Sequence, residues 1–182
     1  MPPEPRPTTL AVPVTERDHA VGPPDAPVTL VEYGDYECPD CAAAFPIVKR
    51  LQASLGQRLR FVFRNFPQNS IHPHASVAAQ AALAAGAQGR FWPMHDVLYA
   101  HQKTLADHSM DEFALRVGLE IYKFNADLSS GRFAARVRED YESGEASGVR
   151  GTPTFFVNGK RFTGDTEYDA MLAAIQAAAG SQ

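Results

Sequence analysis

Cysteine is nearly absent from this chain: two occur in 182 residues. That excludes a fold stapled by several disulfides and a four-cysteine zinc site. Long apolar runs are missing as well; none approaches the ~20 residues that a bilayer-spanning helix needs. There is no basic excess. Lys and Arg number 17 against 21 Asp and Glu, for a net charge of −4, so the charge balance points to neither a nucleic-acid nor a membrane-surface partner. The N-terminal Met1-Pro2-Pro3-Glu4-Pro5-Arg6-Pro7 lacks the basic start and apolar core of a signal peptide. The expected location is therefore cytoplasmic, with export the alternative if a leader precedes the chain. A cytosol is reducing, and cysteines there cycle rather than brace. The length suits one domain with room for an insertion and a substantial core.

What is present is concentrated in Glu37-Cys38-Pro39-Asp40-Cys41. Both cysteines lie here, two residues apart, after the apolar run of residues 28–33 and before a helix-like run from Ala42. A Cys-x-x-Cys on the first turn of a helix, just past a strand, reads as a redox motif. Pro39 suits the first helical position because it has no N–H to leave unpaired. The free N–H groups and dipole there favour an anion, which would bring the Cys38 thiol from about 8.5 into roughly the 3.5–7.5 range. Cys41 lies one turn on, along the face of Ala44, Val48, Leu51 and Leu55, and should be buried and less reactive. Two other readings compete. Half a zinc site would need a second cysteine pair, and only His72 and His74 stand close together. An inert structural disulfide would close too short a loop to stabilise the fold much.

Glu32 stands inside the apolar strand of residues 28–33. A carboxylate there is costly unless paired or protonated. It marks either a half-exposed strand end or a proton acceptor for Cys41. Asp35, Glu37 and Asp40 place three acids around Cys38; they either disfavour its thiolate or form a solvated rim.

The remaining chain reads as follows. Residues 1–14 are proline-rich and read as a flexible arm. The first helix runs to about Leu55, with Pro46 kinking it and Gly56 stopping it. Residues 59–66 read as a second strand, giving a βαβ unit and a parallel pair. Helical patterns follow over residues 74–87, 91–105, 111–119 and 129–142, without a comparable strand. Within them Phe91 and Trp92 read as packing residues and His95 as a hydrogen-bonded structural histidine. Residues 155–163 read as a hairpin with a type I′ Asn158-Gly159 turn. A last helix presents Tyr168, Met171, Leu172 and Ile175, with Asp165 as its cap.

The stretch of residues 27–45 resembles the thioredoxin superfamily, and in particular DsbA-like oxidoreductases with a helical insertion. Glu32 falls at the spacing of their buried acid and Pro46 at that of their helix-kinking proline. Gly151-Thr152-Pro153-Thr154-Phe155-Phe156-Val157-Asn158-Gly159 resembles their cis-proline loop and the hairpin after it. Ile71-His72-Pro73-His74-Ala75 and Gln88-Gly89-Arg90-Phe91-Trp92 resemble sequences common in bacterial members. The resemblance implies an α/β thioredoxin fold with an inserted helical subdomain. It divides the chain into an arm (1–14), a core (15–70 and 148–182) and a helical insertion (71–147). It also implies a cis bond at Thr152-Pro153, which would leave the Thr152 backbone free beside Cys38 to pair with an extended peptide. Asp40 departs from the histidine common at that position, so the expectation is a less depressed Cys38 thiol and a less oxidising disulfide.

The function so implied is thiol–disulfide exchange on protein or peptide cysteines through a mixed disulfide. Cys38, Cys41 and Glu32 would be catalytic; Thr152, Pro153, Pro39 and Asp40 would bind substrate. The electrons reside in the Cys38–Cys41 pair, so no organic cofactor or metal is expected. The expected partners are polypeptides with thiols or disulfides and a second redox protein that resets the pair. Two alternatives stand beside it: a kappa-type glutathione transferase or isomerase, and a redox-inactive peptide-binding chaperone module.

Overall fold

The computed structural model describes residues 7–107 and 109–181. Its strands are β1 (His19–Val21), β2 (Val28–Gly34), β3 (Leu59–Asn65), β4 (Thr154–Val157) and β5 (Lys160–Arg161). They form one sheet in the order β1-β3-β2-β4-β5. Helix α1 (Pro39–Leu55) links β2 to β3, which pair in parallel, as a βαβ crossover requires. β4 runs antiparallel to β2 and β5 antiparallel to β4. Between β3 and β4 lie α2 (Ala75–Gly86), α3 (Phe91–Ala100), α4 (Met110–Arg116), α5 (Ile121–Ser129) and α6 (Ala134–Ala146), and α7 (Tyr168–Ala179) closes the chain. The α/β core with an inserted helical block is thus the architecture that the sequence implies.

Alternation along the strands divides the core between two faces. Val28, Leu30, Phe61, Phe63, Phe155 and Val157 pack with Cys41, Ala44, Val48, Leu51 and Leu55 of α1 and with the inserted helices. Val31, Tyr33, Val62, Phe66, Val149 and Phe156 form a smaller cluster on the other face. Glu32 pairs across the sheet with Phe63 and Phe155 and so lies among apolar neighbours rather than at a half-exposed end. α2 buries seven alanines, whose short side chains let its neighbours approach closely.

The arm expected over residues 1–14 is fastened where it is described; Met1–Arg6 lie outside the described residues. Thr9 bridges Lys160, and the Leu10 N–H donates to the Gly159 carbonyl at 2.8 Å. Leu10 and Val14 cover the smaller apolar cluster. Beneath them the buried Arg64 donates to both carboxylate oxygens of Asp18, at 2.8 and 3.0 Å, and to the Val12 and Pro13 carbonyls. Composition gave no hint of this anchorage, because residues far along the chain, Arg64, Gly159 and Lys160, provide it.

Several helix boundaries differ from those expected. The helix expected over residues 129–142 starts later: α5 ends at Ser129, Gly131 follows in a left-handed conformation at φ 64°, and α6 begins at Ala134. α5 itself was not anticipated; the Glu120 carboxylate caps it by accepting from the Tyr122 and Lys123 N–H groups, both at 2.9 Å. The helix expected to reach residue 105 stops at Ala100 and resumes as a 3-10 stretch, Gln102–Asp107. Asp165 does not cap α7: Glu167 occupies that position without a side-chain bond, and the Asp165 carbonyl accepts the Glu167 N–H at 2.8 Å. Strand β1, three residues long, was also not anticipated. α1 runs unbroken through Pro46. Asn158 and Gly159 both take positive φ, 46° and 77°, as a type I′ turn demands.

Candidate active site

Strand β2 ends at Gly34 and a short loop delivers Cys38 as the N-cap of α1, with extended backbone angles (φ −75°, ψ 122°) and Pro39 at the first helical position. Both cysteines are free thiols. Cys41 is fully buried, whereas Cys38 keeps 5% of its surface exposed. A cleft of about 370 Å³ beside the first turn of α1 is lined by Asp40, Ala43, Ala44, Thr152, Pro153 and Thr166. The Thr152–Pro153 peptide bond is cis. The Cys38 Sγ lies 3.3 Å from the Thr152 carbonyl, to which its thiol donates. Cys38, Cys41, Thr152, Pro153 and Asp40 therefore meet at one place, and Pro39 is exposed at its rim.

The two sulfurs differ sharply in acidity. Cys38 is brought down to about 6, chiefly by the hydrogen bond from the Cys41 thiol, with help from the Thr152 side chain and the backbone N–H groups of Cys41 and Asp40; burial opposes this. Cys41 is pushed well above its ordinary value by burial, by donating to Cys38 and by the nearby Glu32 and Cys38 charges. Glu32, 2% exposed, is pushed up to about 8 by burial and by the Cys38 charge. Its Oε1 has no hydrogen-bond partner.

The three acids near Cys38 do not act as a set. Asp35 is buried and turned inward. Its Oδ1 accepts the Glu37 N–H (2.8 Å), and its Oδ2 accepts the Gln68 N–H (2.9 Å) and lies 2.8 Å from His72 Nδ1. Glu37 pairs with His74 through both the ring nitrogen (2.8 Å) and the backbone N–H (2.7 Å). Only Asp40 stays exposed at the rim, and its backbone N–H, not its carboxylate, acts on the Cys38 sulfur. His72 and His74 thus fix the active-site loop as carboxylate partners. Among the described residues no group of three or more His, Cys, Asp or Glu could hold a metal.

Two glutamines, overlooked in the sequence, complete the surroundings. Gln102 Nε2 donates to the Tyr36 and Cys38 carbonyls at 3.0 and 2.7 Å, tying the loop to the inserted helices. Gln68 Oε1 accepts the Thr152 hydroxyl at 3.1 Å. Neither belongs to a motif; each is brought in by packing alone. The Phe91, Trp92 and His95 group packs as expected: buried His95 bonds the Tyr36 hydroxyl at 3.0 Å, and Trp92 Nε1 donates to the Ala20 carbonyl at 3.3 Å. A larger cavity of about 550 Å³ lies beyond Gln68, with Phe66, Tyr141, Arg138 and Arg150 in its wall.

The comparisons with known proteins agree with this fold. The thioredoxin family model matches residues 14–177. Among solved structures, BdbD from Bacillus subtilis, in its oxidised form, superposes with a TM-score of 0.84 at 23% identity, over 96% of this chain and 100% of that one. A thioredoxin-like oxidoreductase from Silicibacter pomeroyi gives 0.74 at 26% identity, over 92% and 95%. Among curated proteins, a Na(+)/H(+) antiporter NhaA 1 from Salinispora arenicola is 47% identical over 170 residues, which is 93% of this chain but 26% of the antiporter. The chain spans between about a quarter and a third of the length of the curated relatives it matches. No helix among the described residues is long and apolar enough to cross a membrane. The chain belongs to the thioredoxin family and has the fold of its DsbA-like members.

Proposed function

We propose that the protein is a thiol–disulfide oxidoreductase acting on polypeptide cysteines. One observation carries the reading: two adjacent sulfurs are held so differently, the outer easily ionised at about 6, the inner buried and far above its ordinary value. The Cys38 thiolate attacks a substrate disulfide, the substrate's first sulfur leaves as a thiolate, and a mixed disulfide forms. Cys41 then gives its proton to Glu32 and attacks the Cys38 sulfur. The substrate's second sulfur leaves, two electrons have passed to the substrate, and a Cys38–Cys41 disulfide remains. The Cys38 charge vanishes in the mixed disulfide, and that charge is one of the two influences holding Glu32 up. Glu32 is therefore held up less, by burial alone, at the step that needs a base, and releases its own proton more readily before it takes that of Cys41. The reverse sequence oxidises a dithiol, and the potential of the partner sets the direction.

Thr152 and Pro153 hold the substrate backbone beside Cys38, and Pro39 and Asp40 form the rim it crosses. The exposure of Pro39 and Asp40 and the cleft shared by Asp40, Thr152 and Pro153 support this. The pair carries the electrons, so the reaction draws on no organic cofactor or metal, and a second redox protein resets the pair. The antiporter relatives' transport activity is not part of this reading, because this chain covers only about a quarter to a third of their length. The test is insulin reduction in the presence of a thiol. Cys38→Ser is expected to abolish turnover and Cys41→Ser to accumulate the mixed disulfide. Turnover that survives in Cys38→Ser, or glutathione conjugation unchanged in both variants, would overturn the reading.

A further inference from the structure

The cavity of about 550 Å³ adjoins the cysteine site, and none of the exchange steps uses it. Its volume is that of an ordinary ligand site. Gln68 is the partition between the two: it lines the cavity, while its Oε1 accepts the Thr152 hydroxyl at 3.1 Å. The partition is fixed in place. The Gln68 N–H donates to the buried Asp35 carboxylate at 2.9 Å, and His72 Nδ1 lies 2.8 Å from the same oxygen. Arg150, in the loop that leads into Thr152, lines the cavity too. A polypeptide held at Thr152 therefore reaches the cavity within about two or three residues, at roughly 3.3 Å for each extended residue.

The cavity wall is part apolar and part cationic. Phe66 and Tyr141 stack there, with ring centroids 4.3 Å apart and planes 13° from parallel. Arg138 of α6 and Arg150 bring two positive charges, and Glu145 of α6 brings one negative charge. Other arginines on this side of the fold are matched with acids: Arg17 with Glu139, Arg64 with Asp18, Arg132 with Asp127 and Arg136 with Asp140. Arg138 and Arg150 are exposed, and neither forms an ion pair among the described residues. Arg150 uses one N–H on the neighbouring Val149 carbonyl at 3.0 Å. Guanidinium forks without a carboxylate are ready to take one through paired N–H bonds. We propose that this cavity is a second contact for the substrate polypeptide, a subsite for acidic residues a few positions from the reacting cysteine, with Arg138 and Arg150 as its specificity-determining residues. The inference rests on the disulfide-exchange reading and names the class of chain that the site prefers. Glu145 offsets one of the two positive charges, so the preference is moderate.

The experiment compares reduction of two peptide disulfides that differ only near their cysteines, one carrying glutamates two and three residues away on both sides, the other lysines. The wild-type protein is expected to show a KM about three- to tenfold lower for the glutamate peptide at low ionic strength, and the gap should close as salt is added. The net charge of −4 over the whole chain would favour the lysine peptide, so a glutamate preference has to come from a local cationic site. In the double variant Arg138→Glu, Arg150→Glu the order of the two peptides is expected to invert. Loss of folding slows both peptides and cannot invert them, and either single reversal gives the same comparison with a smaller change. Equal KM values in the wild type, a lysine preference there, or a glutamate preference that survives the double reversal overturns the inference. Failure to reduce either peptide would instead sink the exchange reading. Fluorescence anisotropy with labelled forms of both peptides, their cysteines replaced by serine, then decides the cavity by the same order of affinities and the same inversion.

Discussion

At the scale of single residues, burial moves two acids in the same direction and a hydrogen bond rescues a third. Glu32 and Cys41 are both driven toward their neutral forms by loss of water, whereas Cys38, also shielded, is pulled down to about 6 because Cys41 donates to it. A neutral Glu32 ties stability to pH in the unusual sense for a carboxylate. Its folded value is raised from 4.5 to about 8, so between those limits the folded protein holds a proton that the unfolded chain releases. The stability this gives is complete below 4.5 and drains away as pH rises toward 8. Glu32→Gln cannot lose it. The variant's stability relative to wild type, from urea melts at each pH, is expected to climb by up to about 1 kcal/mol per pH unit across that window. Taking the difference cancels His19 and His95, whose buried neutral rings, at about 4 and about 3, push the opposite way at acid pH. A difference that does not vary with pH would mean Glu32 is ionised in the folded protein. The same substitution should slow release of a trapped mixed disulfide while sparing the first attack.

Among the elements, helix starts proved harder to read than helix faces. The face of α1 through Cys41, Ala44, Val48, Leu51 and Leu55 is buried as the 3.6-residue period demands. The start of α5 is fixed instead by one exposed carboxylate, Glu120, whose oxygens accept two backbone N–H groups. Glu is not among the usual capping residues, so the signal was not there to be seen. Glu120→Ala should destabilise the protein by roughly 0.5–2 kcal/mol, visible as a lower urea midpoint. Because α5 is remote from the cysteines in the chain and Glu120 bonds neither, the Cys38 titration should stay where it is. A shift in that titration would mean the inserted helices strain the active-site loop through Gln102, the side chain that grips the Tyr36 and Cys38 carbonyls.

Over the whole molecule, one buried cation binds three separate parts of the chain. Arg64 of β3 holds Asp18 and the Val12 and Pro13 carbonyls, and also donates to the Tyr33 hydroxyl of β2 at 3.0 Å. Tyr33 in turn bonds Ser143 of α6 at 2.8 Å, and Arg136 of α6 reaches Asp18 at 3.6 Å. The N-terminal segment, the sheet and the insertion are thus joined on the face opposite the cysteines. Arg64→Leu leaves the Asp18 carboxylate, whose side chain is 3% exposed, without its main partner. The expected loss is about 3–5 kcal/mol in urea melts, and adding Asp18→Leu should recover part of it. A loss below about 1 kcal/mol, the scale of an exposed pair, would show that the segment is not held in this way.

What the sequence determined by itself is whatever depends on neighbours along the chain. The cysteine spacing with Pro39 between, the alternation that exposes Glu32 as out of place, the Asn158-Gly159 turn and the parallel crossover are all local patterns, and local sterics and periodicity enforce them. Residues 8–14 were misread because their partners, Arg64, Gly159 and Lys160, are distant in sequence. The fates of Asp35 and Glu37 were hidden for the same reason: their histidines come from the loop after β3. Tertiary structure alone decided which acids near Cys38 find a histidine partner and where the Thr152 proton goes. Gln68 and Gln102 follow the same rule, since a side-chain amide has no period and no motif and acquires a role only when folding brings a carbonyl or hydroxyl within 3 Å or so of it.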